Sequence, residues 1–145
     1  MKAVVIYESL TGNTRKAGEL IAAGLEAEGI ETVACSTKAI DLQALSDADL
    51  VVLGTWVDGL FFFGQRPGGS GRLNKLPVLE GKQVAVYVTY ALDKGKTLSK
   101  LTALVENRLG GEVIGGQAIR RDRIADQSAD FVARLAGAAD KLASA

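Results

Sequence analysis

The chain has 145 residues, which is enough for one domain with a sizeable core, and its single cysteine, Cys35, excludes an internal disulfide. It has no histidine, which excludes sites that depend on imidazole, and we expect neither a catalytic side chain nor a metal site. The 17 basic and 17 acidic residues balance, which argues against a nucleic-acid-binding protein.

No stretch has the length and apolar character of a membrane span, and the first apolar run begins within a few residues of Met1. We therefore expect a protein without a signal peptide that does not associate with membranes. A single unpaired cysteine fits the reducing cytoplasm, where we expect the protein to act as a monomer or weak homodimer.

The first predicted elements are a strand at residues 3–7 and an amphipathic helix at residues 14–28. The polar turn between them reads Ser9-Leu10-Thr11-Gly12-Asn13-Thr14. Amides at the start of a helix lack intrahelical acceptors, and the helix dipole favours an anion there. Together with the hydroxyl and amide side chains, they predict a phosphate site. The alternative is an ordinary helix cap that binds nothing.

The rest of the chain alternates strand patterns with helix patterns. Strands are predicted at residues 30–35, 49–54, 83–89 and 112–119, and helices at residues 42–45, 97–109 and 124–142. The runs at 49–54 and 83–89 are continuously apolar, which is typical of strands covered on both faces. This alternation predicts an α/β fold with a doubly wound, five-stranded parallel sheet, in a single domain spanning residues 1–145.

Ligands of such sheets bind beyond the carboxyl ends of the strands, where three predicted loops meet, at residues 9–14, 54–59 and 89–96. The second loop contains Trp56 and the third begins with Tyr90 at its strand end. Two aromatic rings in neighbouring loops can hold a flat heterocycle between them. Alternatively, Trp56 anchors the core and Tyr90 is a surface aromatic residue.

Two further segments are distinctive. Residues 60–72 contain three consecutive phenylalanines and then a glycine-rich stretch, which we interpret as a lid or docking surface or, alternatively, as the buried start of a helix. Arg120, Arg121 and Arg123 form a small basic cluster, which we interpret as a solvated loop rather than a nucleic-acid site.

The turn from Ser9 to Thr14 resembles the phosphate loop of the flavodoxin family, which reads Ser or Thr, any residue, Thr-Gly-Asn-Thr. Gly54-Thr55-Trp56 is similar to the second flavin loop of that family, whereas the third loop matches poorly. The unbroken fifth strand looks like the short-chain form of the family. The resemblance implies a sheet with the strand order 2-1-3-4-5.

The resemblance also implies an FMN-binding protein that exchanges electrons with a redox partner protein or a small-molecule acceptor. The first loop would hold the phosphate, the two aromatic residues would flank the ring, and nearby backbone amides would reach its polar edge. The expected cofactor-binding residues are Ser9, Leu10, Thr11, Gly12, Asn13, Thr14, Thr55, Trp56, Val57, Asp58, Gly59, Thr89, Tyr90 and Ala91. Two alternatives stay open: an FMN-dependent reductase of a quinone or other small acceptor, and a flavin-free binding module.

The charges around the loops depart from the family pattern. Family members have an acidic surface near the flavin, whereas this chain has Arg66, Arg72, Lys94 and Lys96 there. Positive charges favour the negatively charged reduced form of a flavin, so we expect a less negative second reduction potential than in an acidic flavodoxin. The same charges suit an anionic substrate or an acidic partner.

Overall fold

The computed structural model describes residues 1–58 and 66–143, with side chains up to residue 139. The predicted flavin contact at Gly59 and the phenylalanines Phe61, Phe62 and Phe63 lie outside the described residues, so the predictions for them stay predictions. Within the described part, none of the helices combines the length and the apolar character needed to cross a membrane.

Five long strands form a parallel sheet, as predicted. They are β1 (Lys2–Tyr7), β2 (Glu31–Ser36), β3 (Leu50–Asp58), β5 (Gln83–Tyr90) and β6 (Glu112–Arg120). A two-residue strand, β4 (Arg66–Pro67), pairs antiparallel with the end of β3. The sheet order is β2-β1-β3-β5-β6, which confirms the predicted order of the five parallel strands, with β4 as an unexpected addition.

The helices lie between the strands in sequence, which confirms the doubly wound α/β arrangement. They are α1 (Asn13–Ala27), α2 (Leu42–Asp47), α3 (Ser70–Leu73), α4 (Thr97–Leu104) and α5 (Ile124–Ala143). The predicted helix at residues 97–109 is present, but its last turn, Val105–Leu109, is π-helical. Gly110, with a φ of +75°, ends it in the left-handed conformation that glycine adopts without strain.

A hydrophobic core lies on each face of the sheet, because neighbouring residues of a strand point to opposite faces. Val5 and Val52 pack with α1 and α5, whereas Val4 and Val51 pack with α2, α3 and α4. Strands β3 and β5 are buried on both faces, which explains their continuous apolar runs. Cys35 of β2 belongs to the second core, and burial raises the pKa of its thiol.

The register of the sheet places the predicted loops side by side. Tyr7 of β1 lies opposite Gly54 of β3, and the Glu8 amide donates to the Gly54 carbonyl at 2.9 Å. Trp56 of β3 lies opposite Thr89 of β5. The ends of β1, β3 and β5 therefore lie next to one another at the carboxyl edge of the sheet. The predicted second loop, residues 54–59, is wrong as a loop over its described part, because β3 continues to Asp58 and carries Trp56.

Candidate functional site

The turn between β1 and α1 is closed by its own side chains and leaves backbone donors open. The Ser9 hydroxyl oxygen accepts from the amides of Gly12 at 3.2 Å and Arg15 at 3.3 Å. Gly12 has a φ of +100°, a conformation that favours glycine. The amides of Asn13 and Thr14 have no acceptor within the described residues. The start of α1 therefore presents donors to an anion.

Strand β5 supports this turn from below through two buried hydroxyl groups. The Thr14 and Thr89 hydroxyl oxygens are 2.7 Å apart, and the Tyr87 hydroxyl donates to the Thr14 carbonyl oxygen at 2.9 Å. Burial raises the pKa of Tyr87 far above its ordinary value, so the phenol stays protonated and remains a donor. Gly54 leaves room for the Tyr87 ring, which a Cβ at that position would overlap.

Glu8 joins the end of β1 to helix α3. Its side chain is buried, its Oε1 lies 3.0 Å from Nη1 of Arg72, and its Oε2 accepts from the Thr37 hydroxyl. Gly69 has a φ of +64°, and a Cβ there would collide with the Glu8 side chain. No motif predicts this cluster; its only signal is one charged residue between an apolar strand and a polar turn.

Trp56 is packed on one side and half-exposed overall. The backbone of Gly68 lies against its indole, so that a Cβ on Gly68 would overlap the ring. The Gly68 amide donates to the Trp56 carbonyl at 2.8 Å, and the Gly68 carbonyl accepts from the Thr55 hydroxyl at 2.5 Å. The side chain therefore anchors the turn before α3 and also contributes to a cleft.

That cleft has a volume of about 120 Å³ and combines all three predicted loops. It is lined by Leu10, Thr11, Asn13, Trp56, Val57, Thr89, Tyr90, Ala91 and Arg121. The remaining predicted residues in the described part do not line it: Ser9 and Gly12 shape the first turn, Thr14 and Thr55 are buried beneath the loops, and Asp58 pairs with Arg66 at 3.4 Å.

Arg121 also lines the cleft, although the local sequence pattern does not identify it as a site residue. It follows β6, its side chain is exposed, and its amide donates to the Tyr90 carbonyl at 2.8 Å. The signal was topological: a residue just after the last parallel strand lies at the same edge as the other loops. Among the described residues that line the cleft, Arg121 alone is charged.

Comparison with known proteins agrees with this architecture. Residues 4–115 match the family described as Flavodoxin domain. Flavodoxin 2 from Bacillus cereus has a similar structure, with a TM-score of 0.71 and 21% identity over 97% of this chain and 99% of that chain. A mutant of the flavodoxin from Pseudomonas aeruginosa has a TM-score of 0.69 and 17% identity, covering 95% and 98% of the two chains.

The two-electron reduced flavodoxin from Megasphaera elsdenii has a TM-score of 0.65 and 19% identity, and the similarity covers 88% of this chain and 98% of that chain. At these identities the structural likeness shows the shared fold, and the sequence match to residues 4–115 shows the family. Because that match covers most of the sequence, the chain belongs to the flavodoxin family.

Proposed function

We propose that the cleft binds FMN and that the protein carries electrons between a redox partner protein and a second donor or acceptor. The observation that carries this proposal is the complete phosphate-loop motif at the start of α1, with the amides of Asn13 and Thr14 open and the side chain of Thr11 exposed beside them. Hydrogen-bond donors at a helix start are the ordinary protein site for a phosphate group.

The residues present fit the phosphate end of FMN. Thr11 and Asn13 of the phosphate loop line the cleft, which has a volume of about 120 Å³, and their polar groups suit a phosphate group. The flavin ring therefore belongs at the open rim, where Trp56 and Tyr90 are half-exposed. Because Gly68 covers one side of the indole, Trp56 offers the ring a face or an edge but not both faces.

The Thr14 side chain stabilises the phosphate loop. Its hydroxyl group carries one proton and lies 2.7 Å from the Thr89 hydroxyl oxygen. Because the Thr14 side chain is buried and does not line the cleft, this contact fixes the turn that presents the amides of Asn13 and Thr14. FMN, when bound, supplies the redox chemistry; the chain holds its phosphate, flanks its ring and sets the charge around it.

The direct test is the purified protein. We expect it to quench the fluorescence of added FMN, and we expect acid to release FMN rather than FAD from any yellow preparation. Replacing Thr11→Ala together with Thr14→Ala removes one exposed hydroxyl donor at the cleft and the buried hydroxyl that fixes the turn, so we expect FMN binding to weaken by about 2 to 3 kcal/mol.

The matched control is Thr32→Ala together with Thr102→Ala, because these hydroxyl groups donate to the backbone carbonyls of Ile30 and Leu98 and neither residue lines the cleft. We expect FMN affinity to be unchanged in this control. Wild-type protein that stays colourless and leaves FMN fluorescence unquenched would support the flavin-free binding module instead.

One observation favours a second candidate, an FMN-dependent reductase of a quinone or other small acceptor. Lys94, Lys96 and Arg121 surround the third loop with exposed positive charge and form no ion pair with any described residue. An open basic rim suits the negatively charged NADH or NADPH that would reduce the flavin. Steady oxidation of NADH or NADPH by the purified protein and a quinone, with no partner protein added, would support this candidate over the carrier.

A further inference from the structure

The three arginines after β6 differ in their partners. Arg120 forms two hydrogen bonds of 2.6 Å with the carboxylate of Asp122, and Arg123 lies 3.4 Å from the carboxylate of Asp126. Arg121 has no carboxylate partner among the residues that the structure describes. The two neighbouring acids therefore neutralise the arginines on either side and leave the middle one available.

The backbone holds Arg121 at the cleft. Tyr90 of β5 lies opposite Arg120 of β6, and the Arg121 amide donates to the Tyr90 carbonyl at 2.8 Å, which continues the pairing one step beyond the strand. Helix α5 begins at Ile124 and packs beside α1 on the same face of the sheet. The turn that carries Arg121 therefore lies next to the turn that begins α1.

Within the described part of the chain, no carboxylate pairs with Arg121. Thr11 and Asn13 of the phosphate loop line the same cleft, and no acidic residue does so within the described part of the chain. A guanidinium group presents planar N–H donors that match the oxygens of a phosphate, and it keeps its charge at any ordinary pH. A negatively charged ligand would therefore provide the partner that Arg121 lacks among the described residues.

We propose that Arg121 binds the phosphate of the flavin nucleotide and gives the site its selectivity for FMN over riboflavin. This rests on the proposed function, because it assigns a residue to the same site. The phosphate loop supplies neutral donors from the start of α1, and Arg121, which lines the same cleft, supplies the positive charge.

The test compares Arg121→Gln with Arg123→Gln, which makes the same change of charge two residues away, at an arginine that pairs with Asp126 and does not line the cleft. Dissociation constants are measured for FMN and for riboflavin, which has the same ring but no phosphate. We expect Arg121→Gln to weaken FMN binding about tenfold or more and riboflavin binding less than twofold. Arg123→Gln should change both less than twofold.

Two further measurements sharpen the result. Arg121→Lys keeps the charge but not the planar donors, so we expect an FMN affinity between those of the wild type and Arg121→Gln. Salt should weaken FMN binding more in the wild type than in Arg121→Gln, because the variant has lost one charge of the pair. Arg121 is exposed, and an unchanged thermal midpoint checks that the variants fold.

The outcomes separate this assignment from the function on which it rests. Unchanged FMN affinity in Arg121→Gln, or an equal loss for FMN and riboflavin, would overturn the role of Arg121 and leave FMN binding by the wild type intact. Wild-type protein that binds neither flavin would overturn the proposed function and the assignment together.

Discussion

The turn that lines the cleft and the segment that packs against Trp56 are anchored by different chemistry. The first turn of α1 is held by buried, uncharged hydroxyl groups, through the contacts of Thr14 with Thr89 and Tyr87. The segment at residues 66–73, here called the α3 segment, is held by an ion pair between buried Glu8 and half-exposed Arg72. Uncharged buried bonds respond little to salt, whereas an ion pair that reaches solvent is screened by it.

Because of this contrast, we expect the two segments to tolerate structural change to different extents. The phosphate loop requires fixed donor positions, and a rigid strand supports it from within the core. The α3 segment supports Trp56, through Gly68, and we expect it to adjust more readily when a ring system enters the rim. Three single substitutions test the contrast, in order of decreasing expected effect.

The largest effect is expected at Gly54, on the side of the phosphate loop. In Gly54→Ala the new methyl group overlaps the buried Tyr87 ring, which has no free space to move into, so we expect a loss of about 3 kcal/mol or more in the free energy of unfolding. Urea denaturation measures it. Gly71→Ala is the matched control, since nothing lies near its Cβ and α3 is helical there; we expect a change smaller than about 1 kcal/mol.

The next effect is expected in the α3 segment. Arg72→Gln leaves the buried Glu8 carboxylate with the Thr37 hydroxyl but without its cation, and we expect a loss of about 1 to 2 kcal/mol, discounted because Arg72 is half-exposed. Arg66→Gln breaks an exposed pair with Asp58 and should cost less than about 0.5 kcal/mol.

Urea denaturation at low and high salt distinguishes the two arginines. If the Glu8–Arg72 pair anchors the segment, the difference between the wild type and Arg72→Gln shrinks as salt is added. A difference that is the same at both salt concentrations would show that packing of the Arg72 side chain, and not its charge, holds α3 in place.

A smaller effect is expected for Tyr87→Phe, which removes the hydrogen bond to the Thr14 carbonyl and should cost about 1 kcal/mol at neutral pH. Burial raises the pKa of Tyr87 in the folded state, so the unfolded chain loses this proton first, near its ordinary value of about 10. Stability contributed by the protonated phenol is therefore complete below pH of about 10 and is lost as the pH rises.

The measurement is the free energy of unfolding of both proteins between pH 8 and pH 11. We expect the wild type to lose stability above pH of about 10 more steeply than Tyr87→Phe. Parallel pH profiles would mean that other groups cause the alkaline loss and that the folded-state pKa of Tyr87 is ordinary.

Local sequence patterns were sufficient to predict the main strands and helices of this fold. The apolar runs of β3 and β5 and the polar turn at residues 9–14 have signatures within ten residues, and the strands and the loop were predicted from them. The short strand β4 could not be predicted, because Arg66–Pro67 has no periodicity. It is defined only by its antiparallel pairing with Val57 and Asp58 of β3.

The contacts that anchor the site could not be predicted from local sequence patterns, because they join residues that are distant in the sequence. Glu8 and Arg72 are separated by 64 positions, and Thr14 and Thr89 by 75. Of the four cations expected near the loops, Arg66 and Arg72 prove to be paired with Asp58 and Glu8. Charge counted along the sequence therefore overstates the charge available to a ligand.

The smallest effect concerns the charge that does remain available. Lys94 and Lys96 follow β5, are exposed, and form no ion pair with the described residues. Reduction adds negative charge to a bound flavin, and a cation about 10 Å away in water stabilises that charge by about 0.4 kcal/mol, equivalent to about 20 mV for one electron. Replacing both lysines with glutamine should therefore lower the reduction potential of the FMN-loaded protein by about 40 mV at low salt. Lys2→Gln, at the opposite edge of the sheet, is the control and should leave the potential unchanged. A double variant with the wild-type potential would show that solvent screens these lysines completely, and the tuning of the flavin would then depend on the residues that line the cleft.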